Sequence, residues 1–396
     1  MMVDRVIELE EEEDRFFPKT EFDEKIALSL YRDPYLDVDF PSPKNDQCYV
    51  LRSKGYIGQI PTSEGILIRI RPKVPIHNLF RMLEYAYNLK SFQFLDGKTA
   101  VDSLDDLFEN LASILAKRVL DRARKGLYCS YVEEEDSLSY LRGQIKVIPS
   151  IRAFMRGSVR LECEYEEHTP DVEDNHILVW TLLQLPRFPL KRNEVRRQVR
   201  QAYRALASTV YVRQVEPCAC INRFYHRLND DYRPMHGLCR FFLEHTGPSV
   251  GVGEHEFIPF VLNMPNLFES FVAKWLQIHL PEDLRMKTQY TVELGESGIV
   301  LRIDLVLIDV ASNEVIAVLD TKYKRKEAPE NADIYQIAAY AECMDTQNAF
   351  LIYPSLETIS ENIPLGRVTV RSLVFNIGID PDEAGKLFLE ELLELL

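Results

Sequence analysis

The stretch "VLDTKYKRKEAPENADIYQIAAYA", residues 318–341, decides how this chain is read. It opens as an apolar strand that continues from Val315 and Ile316, and strands of that kind are usually buried. Inside it stand an acid and a base two residues apart, Asp320 and Lys322. Strand alternation puts both on one face. An unpaired charge on a buried face is costly, so the pattern calls for a chemical reason. The bland reading is a salt bridge from Asp320 to Lys322, or to Arg302, closing an exposed hairpin face.

Just upstream, "GIVLRIDLVLIDV" reads as a second strand, joined to the first through the short link "DVASNE". A hairpin centred near Ser312 opposes residues whose numbers sum to 624, and Asp304 and Asp320 satisfy that sum. Their Cβ atoms would then lie about 4.5–5.5 Å apart. Two opposed carboxylates among apolar neighbours repel each other, and a divalent cation removes the conflict. Magnesium takes one or two carboxylates together with waters and a substrate phosphate. Lys322 beside it can hold a phosphate oxygen or position a water. The expected chemistry is metal-dependent attack on a phosphodiester.

The chain around this motif has 396 residues, 46% hydrophobic and 28% charged, as in globular proteins. No apolar run approaches the roughly 20 residues of a membrane helix. The acidic N-terminus carries no signal-peptide core, so the expected location is cytoplasmic. Net charge is −15, which opposes binding to nucleic acid. A chain of this charge that acts on DNA needs the DNA delivered, or its positive charge concentrated locally. Residues 117–125 and 191–204 are such concentrations on helical patterns, either as solvated faces or as a partner or nucleic-acid surface. Residues 10–14 are an acidic run expected to be exposed. Cys218, Cys220, Cys239, His226 and His236 make a zinc site conceivable, but no C-x-x-C pair occurs and reduced thiols are the better reading.

The expected fold class is α+β and multidomain, in three regions. Residues 1–75 are β-rich, with "CYVLRSKGYIGQI" and "GILIRIRPKV" as strands and Gly55, Gly58 and Gly65 as turn residues. Residues 76–249 are mainly helical, with a turn-like Gly143. "HTPDVEDN" there reads as a turn and helix N-cap rather than a second metal site. Residues 247–253 form a glycine- and proline-rich linker. Residues 250–396 are an α/β unit in the order helix, strand, strand, helix, strand, helix.

"LRIDLVL" with "LDTKYK" resembles the PD-(D/E)xK nuclease superfamily, and "YQIAAY" resembles the Q-x-x-x-Y helix of its RecB-like members. The resemblance implies Asp304 and Asp320 as metal ligands and Lys322 as a catalytic residue. It also implies Gln336 as an orienting or DNA-contacting residue, with Tyr340 on the same helix face; a core tyrosine with a hydrogen-bonded amide is the alternative. Glu269 in "LFESFV" would be an additional metal ligand or a solvated glutamate. "GYIGQI", "NLFRMLEYAY", "YLRGQIKV", "YEEHTPDVEDNHILVWTL" and "NMPNLFESFVAKWL" together look like the McrC family, the nuclease subunit of McrBC-type and LlaJI-type modification-dependent restriction systems. That likeness implies a Mg²⁺ cofactor, with Mn²⁺ as an alternative. It implies DNA as substrate and a partner, a McrB-like AAA+ GTPase hexamer that delivers the DNA, docks on residues 1–75, and has its GTP hydrolysis stimulated. The rivals are a stand-alone RecB-like repair nuclease and a non-catalytic activator of an AAA+ motor.

Overall fold

The computed structural model describes residues 5–22, 24–62, 66–89, 103–188, 190–245, 250–252, 255–257, 260–294, 298–324, 329–355 and 362–396. It is a mixed α/β, multidomain architecture. The chain divides into two compact units, Met1–Leu107 with His245–Leu396, and Phe108–Glu244. The sequence regions 1–75 and 250–396 therefore fall within one unit.

In that first unit, a four-stranded sheet runs Arg5–Glu10, Ile66–Arg71, Tyr56–Pro61, Phe260–Asn263 in spatial order. Its last rungs pair Phe260 with Gln59 and Val261 with Gly58, so chain segments far apart in sequence share one sheet. Gly58 was expected in a turn. It lies instead inside the strand, at φ +129°, where an added Cβ would sit 2.1 Å from Phe260 O. The neighbouring backbone approaches because the side chain is missing. Gly55 does turn the chain, at φ +75°, while Gly65 lies outside the described residues.

The C-terminal segment builds a six-stranded sheet in the order Leu284–Leu294, Ile299–Asp309, Val315–Thr321, Asn348–Tyr353, Val368–Val374, Asn362–Leu365. The first three are antiparallel, the third to fifth parallel, and the last antiparallel again. A parallel step needs a crossover, and the helix Asn331–Cys343 supplies it between Val315–Thr321 and Asn348–Tyr353. That helix packs on the sheet through Ile334, Ile337, Ala338 and Ala341. The helix Met264–His279 precedes the sheet and contacts Val315–Thr321 and Ile76–Ala86. The expected element order missed Leu284–Leu294 and the two strands Asn362–Leu365 and Val368–Val374. The first, "LRMKTQYTVEL", buries little besides Met286 and so has no apolar alternation to read.

The second unit packs helices Glu173–Gln184, Asn193–Ala207 and Tyr232–Glu244 around Tyr232, Phe241 and Phe242. Both basic segments are helical: residues 117–125 end the helix Leu104–Lys125, and Arg196, Arg197, Arg200 and Arg204 are exposed on Asn193–Ala207. A long antiparallel pair, Ser130–Leu138 with Leu161–Thr169, was not foreseen, because it is rich in acidic residues and fully buries Cys163 alone, which leaves no apolar alternation to read. Gly143, at φ +66°, lies against this pair. The helix Val147–Met155 exposes Val147, Ile148, Ile151, Phe154 and Met155. The expected N-cap in "HTPDVEDN" is corrected: Val172 holds that position without a side-chain cap. Asp171 instead accepts from His176 Nε2 and Tyr211 N, and Asp174 pairs with Arg223. Tyr211 and Arg223 lie 40 and 49 residues along the chain from these acids, so local spacing could not reveal them. Of the expected linker, residues 247–249 and 253 lie outside the described residues, while Val250–Val252 pairs with His255–Phe257.

Candidate active site

The hairpin register is the one the sequence predicts on the side that matters. Leu305 opposes Leu319, Val306 opposes Val318, and Leu307 opposes Ala317. The next position beyond Leu305 and Leu319 is Asp304 on one strand and Asp320 on the other. Asp304 Oδ2 accepts from Thr321 N at 3.2 Å and from Thr321 Oγ1 at 3.4 Å, which fixes it against the Asp320 strand. Lys322 N donates to Ile352 O at 2.8 Å, carrying the parallel pairing one residue past the strand and holding the lysine in line.

Asp320 is 3% exposed, so the exposed-hairpin reading fails even though its ion partner is Lys322. Lys322 Nζ stands 2.7 Å from Asp320 Oδ2. That buried oxygen is therefore already engaged by the lysine, and the two charges face each other inside the site. Burial first, and then the Asp304 charge, push the Asp320 carboxyl well above the usual range. Burial likewise raises Asp304. Lys322 would be lowered by burial, but Asp320, Asp333 and Asp304 together hold its ammonium above the ordinary value.

Gln336 lies one helix away and reaches the same group. Lys322 Nζ donates to Gln336 Oε1 at 3.2 Å, and Gln336 Nε2 donates to Tyr340 OH at 2.8 Å. The four-residue spacing of Gln336 and Tyr340 makes this relay possible. Glu269, on the helix Met264–His279, is half-buried and accepts a hydrogen bond from Gln289. Burial and then Asp304 and Asp320 raise its carboxyl, so it stands in the field of both aspartates.

The family of the McrBC 5-methylcytosine restriction system component matches residues 51–354. The chain belongs to that family. The matched span contains Glu269, Asp304, Asp320, Lys322, Gln336 and Tyr340. Among relatives, the Type IV methyl-directed restriction enzyme EcoKMcrBC of Escherichia coli (strain K12) is 22% identical over 316 residues, covering 73% of this chain and 88% of that protein. Among solved structures, the half-complex from a tetradecameric assembly of Thermococcus gammatolerans McrB AAA+ hexamers with bound McrC is 18% identical, with TM-score 0.55 over 98% of this chain and 100% of that one. The cryo-EM structure of the Thermococcus gammatolerans McrBC complex is 20% identical, with TM-score 0.45 over 70% of this chain and 88% of that one. The first of these structures shares the fold.

Within this McrBC-family chain, the acidic site also holds residues that the sequence reading passed over. Asp333 is buried, 3.6 Å from Lys322 Nζ and 3.2 Å from Lys324 Nζ. It lies within the opening stretch, one turn before Gln336, so helix spacing could have found it. Lys324 is engaged by Glu330 at 2.9 Å as well as by Asp333. The buried Tyr353 hydroxyl has no hydrogen-bond partner among the described residues. Burial, then Asp333 and Asp320, push its pKa up.

Asp304 and Asp320, with Glu269 beside them, are the donors available to a divalent cation. Among the described residues no three His, Cys, Asp or Glu side chains close into a metal cage. Magnesium does not need one, because it keeps waters and takes substrate oxygens beside one or two carboxylates. Two carboxyls held side by side on adjacent strands, each raised by burial, fit such an ion. The conceivable zinc set in the second unit does not fit. His236 Nε2 donates to Asp174 O and its Nδ1 accepts from Tyr225 OH, both at 2.9 Å, and burial holds the Cys239 thiol protonated. No helix among the described residues is long and apolar enough to cross a membrane.

Proposed function

We propose that this chain is the nuclease subunit of a McrBC-type restriction complex. It is a Mg²⁺-dependent DNA endonuclease with a PD-(D/E)xK domain at residues 250–396, and Mn²⁺ is an alternative ion. The observation that carries this reading is the buried Asp320 carboxyl with the half-buried Asp304 at the next position of the adjacent strand and Lys322 Nζ 2.7 Å from Asp320 Oδ2. A simple ion pair needs one carboxylate for one lysine, whereas here the Asp304 charge beside Asp320 raises the Asp320 carboxyl.

Asp304 and Asp320, with Glu269, would hold the cation, which supplies Lewis-acid polarisation of a phosphoryl oxygen and charge neutralisation. Hydrolysis forms a P–O bond to the attacking water, breaks the P–O bond to the leaving sugar oxygen, and returns a proton to that oxygen. Lys322 presents its ammonium where charge builds on the phosphate. Gln336 fixes the lysine through Oε1 and is itself fixed by Tyr340. Asp320 and then Asp333, one helix turn before Gln336, keep the lysine charged.

The partner is an AAA+ GTPase hexamer that delivers DNA, and the chain stimulates its GTP hydrolysis. The McrB hexamers with bound McrC in a structure of the same fold support this reading. The net charge of −15 also supports it. Residues 1–75 remain the proposed docking region. The exposed apolar face of Val147–Met155 is a further contact surface of the kind partners cover. The test is cleavage of methylated DNA by the chain together with its GTPase partner. Cleavage is expected with Mg²⁺ and absent with EDTA, and Asp304→Asn should abolish it. Cleavage that survives EDTA and Asp304→Asn would refute the reading.

A further inference from the structure

Gln289 lies in the interior of the strand Leu284–Leu294, yet its φ is +48°. That left-handed conformation is costly for a residue with a Cβ, and a glutamine has no local reason to adopt it. It is also placed with care. Thr288 opposes Leu305 and Tyr290 opposes Ile303, so the rung left between them belongs to Gln289 and Asp304. That rung is missing from an otherwise continuous ladder. The side chain of this strained residue donates from Nε2 to Glu269 Oε1, joining the strand to the helix Met264–His279. Three features thus meet at one residue: a disfavoured backbone, a ladder position opposite a proposed metal ligand, and a hydrogen bond to the third carboxylate. Strain kept at such a place marks a constraint that the surrounding structure imposes.

We infer that Gln289 is a positioning residue, which aims Glu269 at the Asp304–Asp320 pair and thereby completes the divalent-cation site. The inference rests on the metal-site reading above and goes beyond it. Glu269 is carried by a helix and the two aspartates by a sheet. Gln289 is the sheet residue whose side chain hydrogen-bonds to the glutamate. Groups that hydrogen-bond to metal-ligating carboxylates orient them, and their loss typically costs about 10–100-fold in metal affinity or activity. The left-handed backbone aims the amide, and Glu269 is the ligand that the amide fixes.

The experiment measures Mn²⁺ binding to the full chain by calorimetry, beside thermal melting without metal. The variants are Gln289→Gly, Glu269→Gln, their double variant, and Asp320→Asn. Glycine accepts the left-handed backbone, so Gln289→Gly removes the tether and relieves the strain together. Its expected result is Mn²⁺ affinity lower by roughly tenfold or more, with a melting temperature equal to or above that of the natural chain. In the Glu269→Gln background the same change should have no further effect on affinity, because Gln289 acts through Glu269. Unchanged affinity in Gln289→Gly, or losses that add in the double variant, would overturn the positioning role. If Asp320→Asn still abolishes binding in that case, the metal site stands without it. If the natural chain binds no Mn²⁺ at all, both readings fall.

Discussion

Glu11 stands in a run of five acidic residues, 10–14, and is itself wholly buried. The expectation of a solvated run fails at this one position for a reason the sequence contains. Ile7 and Leu9 are buried on the strand Arg5–Glu10, and Glu11 continues their phase, its N–H donating to Arg71 O at 3.0 Å. Strand alternation outranks the composition of a charge run. Burial pushes its carboxyl up to about 7. A raised acid favours the protonated folded state, so this stabilising contribution is full below the unfolded pKa of about 4.3 and is lost as pH rises through about 7. Glu11→Gln, which keeps an acceptor for Lys73 N, should therefore melt higher than the natural chain at pH 8.5. The gap should close as the pH falls from 7 towards 4.5, and a pH series of melting curves checks it. Asp304, Asp320 and Lys322 were legible because period two and a hairpin centre suffice to place them. Gln289 and Tyr353 were not, since a backbone dihedral and an unused hydroxyl leave no mark in residue order.

At the scale of elements, the hairpin between Asp304 and Asp320 holds the predicted register only on the side of the carboxylates. Nearer the turn, Leu307 opposes Ala317 while Ile308 opposes Val315, so Ile316 is an extra residue, a bulge that shifts the register by one. A hairpin centred on the turn residues alone could have been wrong by that one position, which would have turned Asp320 to the other face. The helix Asn331–Cys343 was readable from its apolar spacing, and its Gln336–Tyr340 pair followed from the pitch. The pairing of Tyr56–Pro61 with Phe260–Asn263 was not readable, because no local pattern names a partner two hundred residues away. At Gly58, within that pairing, an added Cβ would sit 2.1 Å from Phe260 O. Gly58→Ala must accommodate a disfavoured backbone worth about 1–3 kcal/mol, and it also pushes on Phe260 O. It should lower the melting temperature clearly, whereas the same change at Gly157, also at positive φ but with nothing within 4 Å, should cost only the backbone strain. Equal melting temperatures for the two variants would contradict the close approach.

For the whole molecule, charge and division of labour are the same question. A net charge of −15 opposes a polyanion, and the exposed arginines of Asn193–Ala207 are the local exception. The isolated chain should bind duplex DNA weakly near physiological salt and cleave it poorly even with Mg²⁺. A salt titration of binding checks this, and tight, salt-sensitive binding by the chain alone would contradict the delivery scheme. The central claim is that the Asp320–Lys322 edge performs hydrolysis and that contact with the motor lies elsewhere. Asp320→Asn keeps the side-chain shape and relieves carboxylate repulsion, so folding should survive. Lys322→Ala removes the ammonium, and Lys324 is held away by Glu330 and Asp333. The decisive measurement is DNA cleavage and GTP hydrolysis, side by side, by the reassembled complex carrying each variant. Cleavage should be abolished in both while stimulated GTP hydrolysis stays at the level of the natural chain. Undiminished cleavage in Asp320→Asn, or a fall of both activities together in well-folded variants, would contradict it.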